Sequence, residues 1–129
     1  MRNYRDLQVW AKAHSLTLEI YRVSRAFPRD EMYGLTAQVR RAASSVGANL
    51  AEGCGRQTDN ELARFVRIAL GSASELDYHL VLCRDLGLLQ DSQYEGIAKE
   101  LTIVRKMLAS LRNAIERKTE LKAKAAGKS

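Results

Sequence analysis

Proline, cysteine and long apolar segments are scarce in this chain of 129 residues, which has one proline, Pro28, and two cysteines, Cys54 and Cys83. The cysteines lack CxxC spacing, which argues against a disulfide framework and a cysteine-ligated metal site. No apolar run approaches the length of a membrane-spanning helix, and the first ten residues lack the apolar stretch of a signal peptide. With one helix-breaking proline, most of the chain can be helical. We expect a cytoplasmic protein with no membrane partner.

Positive charge exceeds negative charge: 21 basic and 15 acidic residues give a formal net charge of +6. This excess permits binding to nucleic acid or to an acidic protein. Part of it lies near the C-terminus, where we expect residues 1–117 to form a helical domain and residues 118–129 a basic, frayed tail. Two interpretations of the tail stay open: a solvated end, or an arm that attracts nucleic acid.

Apolar residues recur at alternating steps of three and four, the spacing of helices that face other helices. Proline and glycine mark the helix ends, and Thr58 with Glu61 has the pattern of a capping box. The pattern predicts helix one at about Tyr4–Phe27, helix two at about Met32–Glu52, helix three from the Thr58 cap to about Leu86, and helix four from about Asp91 to Arg117. Similar lengths and short connections predict an all-α fold, an antiparallel up-down-up-down four-helix bundle.

One apolar seam on each helix is predicted to form the core. The seams are Val9, Ala13, Leu16, Ile20, Val23 and Phe27 on helix one; Leu35, Val39, Ala42, Val46 and Asn49 on helix two; Leu62, Val66, Ala69, Ala73, Leu76, Leu80 and Cys83 on helix three; and Ile97, Leu101, Val104, Leu108, Leu111 and Ile115 on helix four. The remaining positions are then expected to face outward.

The outward faces of helices two and three are unusual because they carry small and apolar residues. The positions concerned are Ala37, Ser44, Gly47, Ala48 and Ala51 on helix two and Ile68, Gly71, Tyr78, Val81 and Leu82 on helix three. Contiguous exposed apolar surface usually marks an interaction site. We therefore predict that these residues form the contact between copies of this protein. The alternative is that a twisted bundle buries them internally.

Five arginines near these faces are candidates for phosphate binding: Arg40, Arg41, Arg56, Arg64 and Arg67. The planar guanidinium group donates two parallel hydrogen bonds to a phosphate. We call these five residues the arginine band and predict that it binds nucleic acid. The alternative is that its members pair with acidic residues, namely Glu52, Asp59, Glu61 or Glu75. Aromatic residues are scattered, which favours contacts with the phosphate backbone over base stacking.

A catalytic or metal site is not indicated by the sequence. His14 and His79 stand on different helices without the i, i+4 partner of a metal site in a bundle. Cys54 is expected in a loop between two glycines, where a thiol can be reactive, but the segment lacks the pattern of a phosphate-binding loop. We predict no metal, no cofactor and no enzymatic activity.

Four blocks of sequence resemble one known family. These blocks are DLQVWAKA at 6–13, FPRDEMYGL at 27–35, QVRRAASSVGANLAEG at 38–53 and ALGSASELDYHL at 69–80. They are similar to the four-helix-bundle proteins encoded within intervening sequences of bacterial 23S rRNA genes, over about Tyr4 to Ile115. One difference is Gly47, which stands in a block where the family often has proline.

The resemblance implies an up-down four-helix bundle and a ring-like homo-oligomer, a pentamer. Related accessory proteins of diversity-generating retroelements form basic pentameric barrels and bind nucleic acid and a reverse transcriptase. Together with the residue patterns, this favours a non-catalytic homo-oligomer that binds RNA or DNA. A second hypothesis is an oligomeric scaffold that binds an acidic protein partner without nucleic acid.

Overall fold

Residues 2–127 are described by a computed structural model, and helices account for most of them. In chain order the elements are a 3-10 helix at Tyr4–Asp6, α1 at Gln8–Ser24, a 3-10 helix at Arg29–Glu31, α2 at Leu35–Cys54, α3 at Asp59–Asp85 and α4 at Asp91–Gly127. The predicted all-α class with four long helices is confirmed. In this part of the chain there is no β-strand, and no helix is long and apolar enough to cross a membrane.

The ends of α3 are fixed by the residues that the sequence indicated. At its start, Thr58 Oγ1 accepts a hydrogen bond of 3.2 Å from the Glu61 N–H, as expected of a helix cap. At its end, Gly87 adopts a φ of 77°, a left-handed conformation that glycine tolerates best. This conformation lets the Leu88 N–H bond to the Cys83 carbonyl over 2.8 Å and satisfies the end of the helix.

The first helix is shorter than the periodicity predicts, because α1 ends at Ser24 and not at Phe27. The N–H groups of Arg25, Ala26 and Phe27 each bond to a carbonyl three residues earlier, which is the pattern of a tightened last turn. Pro28 follows directly and disfavours helical geometry at Phe27, so the helix ends before it.

The predicted seams form a single apolar core between the four helices. Among seam residues, Phe27, Asn49 and Leu111 are only half-buried. On α2, Ala43 and Leu50 are buried although they lie outside the predicted seam. α2 packs against both α1 and α3, so its buried face is wider than one seam.

Successive helices contact each other in reverse sequence order. Early in α1, Trp10 covers Gly47 in the second half of α2, where an added methyl group would lie 3.3 Å from Trp10 Nε1. At the end of α1, Ser24 Oγ accepts a hydrogen bond of 2.8 Å from Arg40 Nε near the start of α2. This is the contact order expected of antiparallel neighbours in an up-down bundle. The same order holds for the pairs Ser45–Ser72 and Gly53–Phe65 between α2 and α3, and for Arg105–Asp77 and Arg67–Glu116 between α3 and α4.

The fourth helix is longer than predicted, because α4 continues past Arg117 to Gly127. Apolar periodicity fades there, but alanine and lysine are good helix formers and nothing interrupts the helix. Lys118 and Lys122 contact Asp59, the first residue of α3, so the end of α4 runs past the start of α3. The last two tail residues, 128 and 129, lie outside the described residues.

Candidate nucleic-acid interface

The arginine band is not continuous on the folded chain. Arg56, Arg64 and Arg67 lie around the α2–α3 connection and the first turns of α3. Arg40 and Arg41 lie on the first half of α2, about 18 Å away along the helix axis at 1.5 Å per residue. One phosphate group therefore cannot contact all five arginines of a single copy.

Arg56 and Arg64 share one aromatic ring. Their guanidinium carbons lie 5.0 and 5.2 Å from the centre of the Phe65 ring, which is itself buried. Arg56 also donates a hydrogen bond of 2.7 Å to Glu52 Oε1. Arg64 has no ion-pair partner within residues 2–127. The ring restrains the side chain of Arg64 while its N–H donors remain available to a ligand.

Arg67 pairs with α4, since its Nη1 lies 2.9 Å from Glu116 Oε1. The two residues are 49 positions apart in the sequence. Arg56 and Arg67 therefore pair with acidic residues, as the alternative interpretation of the arginine band expects. For Arg67, however, the partner differs from the candidates that the sequence indicated.

Arg40 and Arg41 have different surroundings. Arg40 is half-buried: its Nε donates to Ser24 Oγ, and its guanidinium carbon lies 4.8 Å from the centre of the Tyr21 ring. Arg41 is exposed and donates a hydrogen bond of 2.6 Å to Gln38 Oε1. In the part of the chain that the structure describes, neither forms an ion pair with a carboxylate.

A second set of basic residues gathers around Asp59 at the start of α3. Arg2 Nη2 lies 3.4 Å from Asp59 Oδ1. The Nζ atoms of Lys118 and Lys122 lie 3.4 and 3.6 Å from Asp59 Oδ2. Partial desolvation raises the pKa of the Asp59 carboxyl, but the hydrogen bond from Lys118 and the charges of Lys118, Lys122 and Arg2 outweigh it, so the pKa lies below its ordinary value. Sequence periodicity did not indicate this cluster, because its members come from three distant segments.

The N-terminal segment reaches the same end of the bundle. The Arg2 N–H bonds to the Cys54 carbonyl over 3.1 Å, while the Arg2 side chain reaches Asp59. The α2–α3 connection, the chain start and the end of α4 therefore meet. We call this region the basic end and define it by Arg2, Arg56, Arg64, Lys118 and Lys122.

Charge is distributed unevenly along the bundle. Residues 102–129 contain eight basic and two acidic residues, an excess of six. Residues 75–100 contain six acidic and two basic residues, an excess of four negative charges. As far as Gly127, the first stretch runs toward the basic end, whereas the second surrounds the α3–α4 turn at the opposite end. The opposite end also holds residues 19–41, which contain five basic and three acidic residues, so its net charge is −2. The bundle is therefore electrically polarised along its axis.

The residues predicted to join copies of the protein are only partly free. Gly47 is covered by Trp10 of the same chain, and Leu82 packs against the core. Burial inside the bundle, the alternative interpretation, thus accounts for part of the set. Half-buried members are Ala37, Gly47, Ala51, Val81 and Leu82, and exposed members are Ser44, Ala48, Ile68, Gly71 and Tyr78.

The cysteines lack the environment of a reactive thiol. Both are buried, and Cys54 is the last residue of α2 and not part of a loop. Burial raises the pKa of Cys83 to about 11. It also raises the pKa of Cys54, although the nearby charge of Arg2 acts in the opposite direction. Within residues 2–127, no group of three His, Cys, Asp or Glu residues is arranged to hold a metal ion.

The fold and its surface define a four-helix protein with one basic end. The model of the 23S rRNA-intervening sequence protein family matches residues 5–110. This match covers most of the chain, and the protein belongs to that family. The matched residues end before the basic part of α4, from Arg112 onward.

A solved structure supports the same assignment. The fold is similar to the crystal structure of a protein with unknown function from the S23 ribosomal protein family of Bacteroides thetaiotaomicron VPI-5482. The two chains are 25% identical with a TM-score of 0.76, over 81% of this chain and 95% of that chain. No curated protein matches the chain.

Proposed function

We propose that this protein is a non-catalytic homo-oligomer that associates with nucleic acid through its basic end. The observation that carries the proposal is the axial polarity of charge. The positive excess collects in the second half of α4, which runs toward the chain start and the α2–α3 connection, whereas the opposite end carries a small negative excess. A polyanion would therefore approach one end of the bundle in preference to the other.

The basic end is suited to the phosphate backbone. Arg64 keeps its donors free of carboxylates within residues 2–127, and Lys118 and Lys122 are exposed. The aromatic ring beneath Arg56 and Arg64, that of Phe65, is buried and offers no open face for a base. Binding of this kind is weakly selective for sequence and falls with rising salt.

Self-association would multiply this weak contact. Ile68 and Tyr78 remain 40% and 62% exposed on one face of α3, where they offer apolar area for contact between copies. Several linked copies of one weak site bind a long polyanion more tightly than one copy does. The protein would therefore assemble through an apolar surface on its side and bind nucleic acid through its basic end.

The test is a salt series with nuclease-treated protein, using labelled single-stranded RNA and duplex DNA. The double variant Arg56→Ala/Arg64→Ala should bind more weakly than the wild type. Its plot of log K against log salt should be shallower by about 0.7 for each phosphate that the variant no longer neutralises on a single strand, or about 0.9 on duplex DNA. The matched control is Arg25→Ala/Lys99→Ala, which removes two exposed positive charges elsewhere on the bundle.

Two results would contradict the proposal. If the control weakens binding as much as the double variant does, only net charge matters and the basic end is not the site. If the wild type binds neither nucleic acid even at low salt, an oligomeric scaffold for a protein partner becomes the better explanation.

A further inference from the structure

An exposed stripe runs along α3 on the side opposite its buried seam. It consists of Ile68, Gly71, Glu75 and Tyr78, at steps of three and four that keep residues on one helix face. All four are exposed, and Ile68 and Tyr78 carry most of the apolar area. We call these residues the α3 stripe.

A second stripe runs along the outward side of α2. It consists of Ala37, Arg41, Ser44 and Ala48, at steps of four, three and four; Ala37 is half-buried and the other three are exposed. Arg41 is its one charged member, and its side chain donates to the neutral side chain of Gln38. We call these residues the α2 stripe.

We propose that the α3 stripe of one copy packs against the α2 stripe of a second copy, with Arg41 paired to Glu75. The inference rests on the self-association in the proposed function and specifies its geometry. Each stripe has a single charged residue, and the two charges are opposite. Large residues of one stripe meet small residues of the other.

The spacing of the two stripes fits an antiparallel contact. When Arg41 is placed opposite Glu75, each other residue of the α2 stripe lies within one residue of a position directly opposite a residue of the α3 stripe. The resulting pairs are Ala37 with Tyr78, Ser44 with Gly71, and Ala48 with Ile68. An alanine thus receives each large apolar side chain, while serine and glycine let the backbones approach between them.

The carboxylate of Glu75 can accept a hydrogen bond from Arg41 of another copy. Its Oε1 lies 3.2 Å from His79 Nε2 of the same helix, and the side chain remains exposed. The carboxylate has a second oxygen, so it can accept from Arg41 of another copy as well. Gly71 leaves room for close approach, since a methyl group added there would meet no atom within 4 Å.

The height of the two charges along the bundle agrees with this arrangement. Inside one copy, Ser45 of α2 contacts Ser72 of α3 at 2.8 Å. Counting back four residues on α2 and forward three on α3 brings Arg41 and Glu75 to the same level, within about 1.5 Å. Two bundles side by side therefore align these charges without sliding along their axes. A contact between two different surfaces can close into a ring only when such sliding is absent.

The test compares Arg41→Glu, Glu75→Arg and the double variant Arg41→Glu/Glu75→Arg by sedimentation velocity over a protein concentration series. Each single variant places like charges opposite each other and should weaken assembly by more than about tenfold. The double variant restores an opposite pair and should recover the size of the wild type. Controls are Lys106→Glu and Glu95→Arg, charge reversals at exposed positions of α4, and far-UV circular dichroism checks that every variant is helical.

The outcomes separate this inference from the proposed function. A wild-type oligomer that neither single variant weakens would show that the copies meet through other surfaces, and it would overturn the inference alone. Failure of the folded double variant to recover assembly would also overturn it. A wild type that stays at its monomer mass of 14.5 kDa would overturn both the inference and the proposed self-association.

Discussion

Replacing Gly53 by alanine is expected to destabilise the protein, because α2 and α3 approach each other closely at this residue. A methyl group at Gly53 would lie 2.9 Å from Phe65 Cβ and 3.0 Å from Leu62 Cδ1. Ordinary carbon contacts are about 3.5–4.0 Å. The Leu62 methyl group can rotate away, but Phe65 Cβ is attached directly to the α3 backbone. The two helices must therefore separate locally.

The expected cost is a balance of two effects. Overpacking of a filled core costs about 1–3 kcal/mol. Alanine gains at most about 1 kcal/mol over glycine in a helix interior, and less here because Gly53 is the penultimate residue of α2. The net loss is about 1–2 kcal/mol, which lowers the Tm by roughly 4 °C per kcal/mol for a domain of this size.

Thermal and urea denaturation followed by circular dichroism measure this loss. The control is Gly96→Ala on α4, where an added methyl group meets no atom within 4 Å. This control should raise the stability by about 0.5–1 kcal/mol through helix propensity. If Gly53→Ala is as stable as the wild type while Gly96→Ala behaves as expected, the close approach of α2 and α3 does not exist. The same packing holds Phe65, so Gly53→Ala should also disturb the arginines of the basic end.

The basic end and the cysteines give two further predictions. Asp59→Asn removes the partner of Lys118 and Lys122, so it should lower the Tm at pH 7 yet strengthen RNA binding at low salt. Because the pKa of Asp59 is depressed in the folded state, its stabilisation is present above its unfolded pKa and is lost as the pH falls. The Tm difference between variant and wild type should therefore shrink below about pH 4, and a constant difference would contradict this. Cys54 and Cys83 should react with a thiol reagent at pH 8 about a hundredfold more slowly in native protein than in urea, and rapid labelling of either would contradict its burial.

The core could be predicted from the sequence because burial repeats with the helical period. The seam of α3 is buried along its whole length, from Leu62 to Cys83. The α2 seam was predicted less well, since Asn49 is half-buried and Leu50 is buried in its place. A helix packed on two sides buries a wider arc than a single seam, and the sequence alone does not indicate how many neighbours a helix has.

The candidate site could be predicted only in part, because it depends on how the helices are aligned. Arg56 and Arg64 were predicted only as members of a band of five arginines, and in the folded chain both lie over Phe65. The pair Arg67–Glu116 depends on the relative positions of α3 and α4, which hydrophobic periodicity does not specify. The contribution of Arg2 likewise depends on where the chain start docks on the end of α2.

The two proposed surfaces have a geometric relation that favours a joint role. Within one bundle, the contact order of α2 and α3 is that of antiparallel neighbours, so an antiparallel contact between α2 of one copy and α3 of the next makes both bundles point the same way. All basic ends would then lie on one rim of the assembly, at the same height. A polyanion on that rim would meet the same set of cations in every copy, and multivalency would raise its affinity without any new contact within a copy. Because the stripes lie along the side of the bundle and the basic end lies at its tip, Arg41→Glu removes this gain without removing a residue of the basic end, whereas Arg56→Ala/Arg64→Ala weakens each copy and leaves the assembly intact.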